Sequence, residues 1–417
     1  METALPRREK SKKTQKSEKK DHAGLGTHAV WAGEDGKRWE RATQIPVAFS
    51  VSFGYEDVNE WLAVAQGKAS GHIYSRNTNP TLAAFEEKVR ILEGGESATS
   101  FSSGMSAISN TLFTLLSPGD RVVSIKDTYG GTNKIFVEFL PRFGIKVSLC
   151  DTSDHRAIEA AIGQGCKVVY LESPTNPTVK VVDLARLIKA AHRQGAIAVV
   201  DNTFATPINQ QPLKLGADLV IHSATKFLGG HADAMGGVVC GSADLVAEIY
   251  HFREITGACL DPMGAYLLLR GMKTLHLRIA RQNESALKIA RFLESHPHVV
   301  NVFYPGLESH TDHDIAARQM SGFGGVLSFV IQGGFGSVKS FLPQLRYAHL
   351  AANLGAVETV AGPPSTTSHV ESTKEERAAA GIPEALIRYS VGIEDSEDLI
   401  TDLRQALDKV FRGKRGG

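Results

Sequence analysis

A lysine set among hydroxyls and glycines gives this sequence its strongest chemical signal. The segment His222-Ser223-Ala224-Thr225-Lys226-Phe227-Leu228-Gly229-Gly230-His231 follows an apolar run at Asp218–Ile221. Burial and neighbouring cations push an amine toward its neutral form, and a neutral amine can form an imine with a carbonyl. Ser223 and Thr225 put hydroxyl donors beside that amine, as a phosphate requires. A second segment, Ile197-Ala198-Val199-Val200-Asp201-Asn202-Thr203, ends an apolar run on an aspartate. Open α/β sheets bind ligands beyond the C-terminal ends of their strands. An aspartate there can pair with a protonated pyridine nitrogen, and it can equally serve as a helix cap or turn residue. In a third segment, Ser102-Ser103-Gly104-Met105-Ser106-Ala107 opens a helical pattern that runs through Leu116. Glycine lets the backbone approach an anion, and the free N–H groups of a helix start favour phosphate. A plain helix cap reads the same way.

The elements that would carry these segments alternate. A helical spacing over Thr81–Leu92 follows Asn79-Pro80. Short apolar strands are expected at Asp120–Ile125, Lys146–Leu149, Lys167–Leu171, Ile197–Val200 and Leu219–Ile221, with helices such as Leu184–His192 between them. Short apolar strands separated by helices predict an α/β fold with a mostly parallel central sheet covered on both faces. Past Asp261-Pro262 the pattern changes to one long helical stretch, Pro262–Ser295, and then to a mixed region. A smaller C-terminal α/β domain is expected to begin there.

Seven segments, in order, are similar to the Cys/Met-metabolism family of pyridoxal phosphate (PLP) enzymes. They are Tyr74-Ser75-Arg76 with Asn79-Pro80-Thr81, Ser103-Gly104-Met105, Tyr129-Gly130-Gly131-Thr132, Glu172-Ser173-Pro174-Thr175-Asn176-Pro177, Val200-Asp201-Asn202-Thr203, Ser223-Ala224-Thr225-Lys226, and Ile387-Arg388-Tyr389-Ser390-Val391-Gly392-Ile393-Glu394-Asp395. The family contains cystathionine γ-synthase, cystathionine γ-lyase, methionine γ-lyase and the O-acylhomoserine sulfhydrylases. The resemblance implies the aspartate aminotransferase-like fold (fold type I) and roles for individual residues. Lys226 holds PLP as a Schiff base and shuttles protons, and Asp201 pairs with the pyridine nitrogen. Tyr129 stacks on the ring beside the substrate. Gly104 and Met105 offer N–H groups to the phosphate, and Ser223 and Thr225 offer hydroxyls. Asn176 lies near the 3′-oxygen, and Asn353 and Arg388 contact substrate, Arg388 through its α-carboxylate. Tyr74 and Arg76 reach the phosphate of a neighbouring subunit, so a homo-oligomer, a dimer of dimers, is implied. Taken alone, Tyr129 would read as a core tyrosine and Arg388 as a surface ion-pair residue.

The implied reaction is γ-replacement on an O-acylated homoserine with a thiol or sulfide nucleophile. Gly131 stands where methionine γ-lyases carry cysteine, whereas Ile255-Thr256-Gly257-Ala258 with Pro262 looks like the lyase version of that region. Ala351-Ala352-Asn353-Leu354-Gly355 resembles the Ala-Asn-Leu-Gly of sulfhydrylases more than the Glu-Ser-Leu-Gly of cystathionine-handling members. A γ-lyase is therefore the alternative, and a non-catalytic relative that binds partners through its tail is a third reading, opposed by intact Lys226, Asp201 and Arg388.

Bulk composition agrees with a globular enzyme. The 417 residues are 42% hydrophobic and 22% charged, with a formal net charge of +1, which gives no polyanion-binding signature. No apolar run approaches the roughly 18 residues of a membrane span, and no secretory signal is expected. Cys150, Cys166, Cys240 and Cys259 form no CxxC pair, so no metal site is expected and the thiols read as buried in a reducing, cytoplasmic compartment. Residues 1–20 carry eight Lys and Arg against three Glu and read as a disordered basic tail. The expected organisation is that tail, an N-terminal arm over 21–65, a PLP-binding domain over 66–261 and a small domain over 262–417.

Overall fold

The computed structural model describes residues 23–34, 39, 41–370, 373–379 and 381–412. The basic segment 1–20 lies outside the described residues. Helix α1 (Pro80–Glu93) starts where Asn79 Oδ1 accepts the Thr81 N–H at 2.9 Å and Pro80 takes the first position, and it ends at Gly94 in the left-handed region (φ 77°). Both ends follow from the sequence, because proline suits a helix start and glycine its stop. Helix α2 (Gly104–Leu115) is capped by Ser103, whose hydroxyl accepts the Ser106 N–H at 3.0 Å. The short helix α3 (Gly130–Lys134) follows Tyr129, and α4 (Leu184–Arg193) is capped by Asp183. Helices α5 (Pro262–Met272), α6 (Leu275–Glu294) and α7 (Ser396–Arg412) belong to the C-terminal part.

Among the described residues the larger sheet has seven strands: β1 (Ser97–Phe101), β2 (Arg121–Ile125), β3 (Lys146–Cys150), β4 (Val168–Glu172), β5 (Ile197–Asp201), β6 (Leu219–Ser223) and β7 (Gly237–Gly241). Their order is β1-β7-β6-β5-β4-β2-β3, and β7 alone runs against its neighbours. The expected α/β fold with a mostly parallel sheet is thus present, and the expected strands fall within one or two residues of those observed. Apolar clusters cover both faces, one with Phe101, Leu112, Phe136 and Tyr170, the other with Ile158, Leu171, Leu187 and Val200. Each such side chain contributes about 1.5–3 kcal/mol when fully buried. The smaller sheet comprises β8 (Val299–Phe303), β9 (Val326–Ile331), β10 (His349–Leu350), β11 (Val360–Gly362) and β12 (Leu386–Ser390), in the order β10-β11-β12-β9-β8. Its core packs Phe329, Phe341 and Tyr389 with residues of α6 and α7.

Two expectations need correction. The single helix over Pro262–Ser295 is two helices, broken at Lys273–Thr274. The break comes from packing rather than from a helix-breaking residue in the gap. A Cβ on Gly271 would collide with the Gly229 carbonyl, so the backbones touch there. Arg278, buried on α6, donates to the carbonyls of Phe227 (2.8 Å), Leu228 (3.1 Å) and Gly271 (2.9 Å). The cysteines are all free, but only Cys240 is buried; the other three are half-buried. No helix among the described residues is long and apolar enough to cross a membrane.

Arg278 fixes the chain immediately after Lys226 with no carboxylate among those three partners. Burial holds its guanidinium down to about 10. Replacing it with methionine strands the buried carbonyls of Phe227 and Leu228, each costing about 1–3 kcal/mol, while the Gly271 carbonyl keeps the N–H and hydroxyl of Thr274. Arg278→Met should therefore lose at least about 2 kcal/mol of unfolding free energy in a denaturant titration. An unchanged midpoint would contradict this account of the loop.

Candidate active site

Three parallel strands end on polar residues at one edge of the larger sheet: β4 on Glu172, β5 on Asp201 and β6 on Ser223. Register puts Glu172 directly opposite Asp201, and Asp201 opposite Ile221. A cavity of about 250 Å³ opens beyond this edge. Its wall includes Ser103, Gly104 and Met105 at the start of α2, Tyr129 before α3, Asn176 after β4, Thr225 and Lys226 after β6, and Ala352, Leu354 and Arg388 from the C-terminal part. Ten of the twelve residues singled out from sequence are therefore brought together: nine on the wall, and Asn353 through its contact with Lys226. Tyr74 and Arg76 do not line this cavity. They sit together, Arg76 over the Tyr74 ring at 5.3 Å, on a segment where Tyr74 is exposed.

The two cations of the cavity have neutral partners. Lys226 Nζ donates to Asn353 Oδ1 at 2.9 Å. Burial, and then the nearby Arg388 charge, hold its amine down to about 8. Arg388 is buried in the middle of β12, and burial lowers it to about 10. It donates to Asn176 Oδ1 at 3.1 Å and to the Asn353 carbonyl at 3.0 Å.

The two carboxylates are buried and lack cationic hydrogen-bond partners. Asp201 accepts the Thr203 N–H at 3.0 Å and the Tyr170 hydroxyl at 3.3 Å. Burial raises its carboxyl above the usual range against those bonds. Glu172 accepts the N–H of Tyr129 at 2.8 Å and that of Asn176 at 3.2 Å. Burial, reinforced by Asp201 beside it, raises this group too.

At the opposite end, α2 presents its first N–H groups to the cavity. Helix starts leave such donors unpaired and partially positive. A Cβ on Gly104 would come within 2.6 Å of Ser223 Cβ, so only glycine lets α2 approach the end of β6 this closely. Thr225 is less free than its sequence position suggests: its Oγ1 lies 3.0 Å from the Gly236 N–H and 3.3 Å from the Gly236 carbonyl.

A protein-family model for "Cys/Met metabolism PLP-dependent enzyme" matches residues 26–408. The chain belongs to this family. It is 44% identical over 390 residues to an L-methionine gamma-lyase of Fusobacterium nucleatum subsp. polymorphum, covering 93% of this chain and 98% of the other. It is 42% identical over 386 residues to an O-succinylhomoserine sulfhydrylase of Pseudomonas aeruginosa, covering 92% and 95%. The solved cystathionine gamma synthase of Xanthomonas oryzae pv. oryzae, in complex with aminoacrylate and cysteine, superposes with a TM-score of 0.88 at 38% identity, covering 93% and 98%. This protein is accordingly a PLP-dependent enzyme of sulfur amino-acid metabolism.

The residues present fit PLP. A helix start without side-chain bulk suits its phosphate, a buried carboxylate lacking a cationic hydrogen-bond partner suits its ring nitrogen, and an amine near neutrality suits its aldehyde. Sequence reasoning passed over Glu172, Tyr170, Thr203, Thr367 and Ser368. Glu172 and Thr203 stood inside the matched segments, so their place was visible while their bonds were not. Thr367 and Ser368 lie in a loop without periodicity.

Because the lysine is lowered in the folded chain, its nucleophilic neutral form is present above about pH 8 and is lost as pH falls below that value. Apoenzyme mixed with PLP should acquire its visible band at a rate that climbs through pH 8 and then levels off. A rate still climbing toward the ordinary lysine value of 10.5 would show that the amine is unperturbed.

Proposed function

We propose that this enzyme performs γ-replacement on an O-acylated homoserine, with sulfide or a small thiol as nucleophile. The uncharged wall at 351–354 supports this reading most directly. Ala352 and Leu354 line the cavity and Asn353 engages Lys226, so this wall offers no carboxylate to hold the amino group of a second amino acid such as cysteine. A small nucleophile needs no such partner. PLP, when bound, supplies the electron sink for charge developing at the substrate α-carbon. Arg388 grips the α-carboxylate through two parallel bonds, trading its neutral partners for an anion. Lys226 Nζ would take the proton from Cα and return a proton later in the cycle. Tyr129 closes over the reacting carbons and limits the approach of water. The γ-lyase alternative draws on the lyase-like segment Ile255-Thr256-Gly257-Ala258 with Pro262 and on the 44% identity to an L-methionine gamma-lyase.

The same reading assigns the phosphate to Gly104, Met105, Ser223 and Thr225, the ring nitrogen to Asp201 and the 3′-oxygen region to Asn176. Tyr74 and Arg76 serve the cavity of a second copy within a dimer of dimers. The PLP-binding domain spans 66–261 between the arm at 21–65 and the small domain at 262–417, and the enzyme works in the cytoplasm.

A substrate panel tests the reaction. O-acetyl-, O-succinyl- and O-phosphohomoserine offered with sulfide, cysteine or no nucleophile should give most product from an O-acyl ester with sulfide. Ammonia and a 2-oxo acid as the dominant products with every nucleophile would favour the lyase instead. Arg388→Lys should raise KM for the amino acid about ten- to a hundred-fold, the loss of one charge-assisted bond worth roughly 1.5–3 kcal/mol, while the cofactor spectrum stays normal. Lost PLP with an unchanged KM would make Arg388 a cofactor residue. Hybrids of Arg76→Ala with Lys226→Ala subunits should recover activity that neither parent has, because one intact site forms at their interface. Inactive hybrids would defeat the shared site.

A further inference from the structure

Glu172 is a buried carboxylate on the cavity wall with no role in the reaction described above. It is the last residue of β4, so its backbone is held in the sheet opposite Asp201. Its two oxygens face two different loops. Oε2 takes the Tyr129 N–H at 2.8 Å, and Oε1 takes the Asn176 N–H at 3.2 Å. Those N–H groups belong to two residues of the cavity wall. Tyr129 precedes α3, while Asn176 sits in the Ser173–Pro177 turn and meets Arg388 through its side chain.

We propose that Glu172 is a positioning residue that sets the Tyr129 ring and the Asn176 amide at a common depth against the cofactor. The argument is one of hydrogen-bond valence. A carboxylate accepts at both oxygens at once, whereas glutamine, of the same shape, accepts at one end and donates at the other. Only an acid therefore satisfies both loops from a single strand end. The site makes burying that acid beside Asp201 tolerable by giving each of its oxygens an N–H, since a buried charge needs hydrogen bonds to persist. The proposal rests on the reading that Tyr129 and Asn176 face the cofactor. It is independent of which γ-reaction the enzyme performs.

The test is a double-variant cycle on Glu172→Gln and Tyr129→Ala, read by equilibrium dialysis of PLP and by the visible circular dichroism of the bound cofactor. Tyr129→Ala removes the ring but keeps the N–H that Glu172 holds. Glu172→Gln should weaken PLP binding about ten-fold, the worth of one charge-assisted bond, and should reduce the cofactor ellipticity. In the Tyr129→Ala background the same change should cost much less, because the ring it aligns is gone. Glu172→Asp, which keeps two acceptors on a shorter stem, should recover part of the loss. Should the glutamine variant fail to fold, the cycle run with Glu172→Asp reads the same coupling. Additive losses would mean that Glu172 merely stabilises the fold, and unchanged PLP affinity in Glu172→Gln would mean that the clamp is idle. Either result overturns the proposal. Unchanged affinity in Tyr129→Ala overturns it from the other side, by removing the ring contact on which it rests.

Discussion

Two cations and two carboxylates face one cavity, and among the described residues none of the four is ion-paired with another. Lys226 and Arg388 lean on the amide and carbonyl oxygens of Asn353 and Asn176, and Glu172 and Asp201 on N–H groups and a tyrosine hydroxyl. Burying ionisable groups on neutral partners alone is costly, and the rest of the molecule is arranged to hold them there. A ligand that brings a protonated ring nitrogen, an aldehyde and, with substrate, a carboxylate would complement three of them, Asp201, Lys226 and Arg388.

The fold supplies this arrangement through strand ends rather than through one binding loop. Parallel strands put Glu172, Asp201 and Ser223 in neighbouring positions because each strand terminates at the same edge. Arg388 comes from the smaller sheet and is drawn over the edge by Asn176, while Ser328 on β9, its register partner, donates to the Pro177 carbonyl at 2.7 Å. The turn after β4 thus joins both sheets, so Arg388 and the strand ends carrying Glu172 and Asp201 share one support. Arg278 adds a third tie by anchoring the carbonyls that follow Lys226.

Much of this was legible in the sequence because it is local. The Ser-Gly start of α2, the apolar strand ending at Asp201 and the lysine after β6 each announce themselves within about ten residues, through capping, periodicity and glycine. What stayed hidden depends on pairs far apart. The break at Lys273–Thr274 comes from a backbone contact with Gly229, more than forty residues earlier, and nothing in the helical spacing of 262–295 reveals it. The two bonds of Glu172 join three segments, and the engagement of Thr225 with Gly236 crosses the turn to β7. The smaller sheet was seen only as a mixed region. Its central strand β12 pairs antiparallel with β9 and β11 over long separations, and such pairing leaves no short-range signature.

The central claim is that the low-lying amine of Lys226 is where PLP attaches. Borohydride reduction of the PLP-loaded enzyme, followed by digestion and mass spectrometry, tests it most directly. The account predicts a phosphopyridoxyl group on the peptide that contains Ser223-Ala224-Thr225-Lys226, and on that lysine alone. A label on another lysine, with Lys226 unmodified, would contradict it.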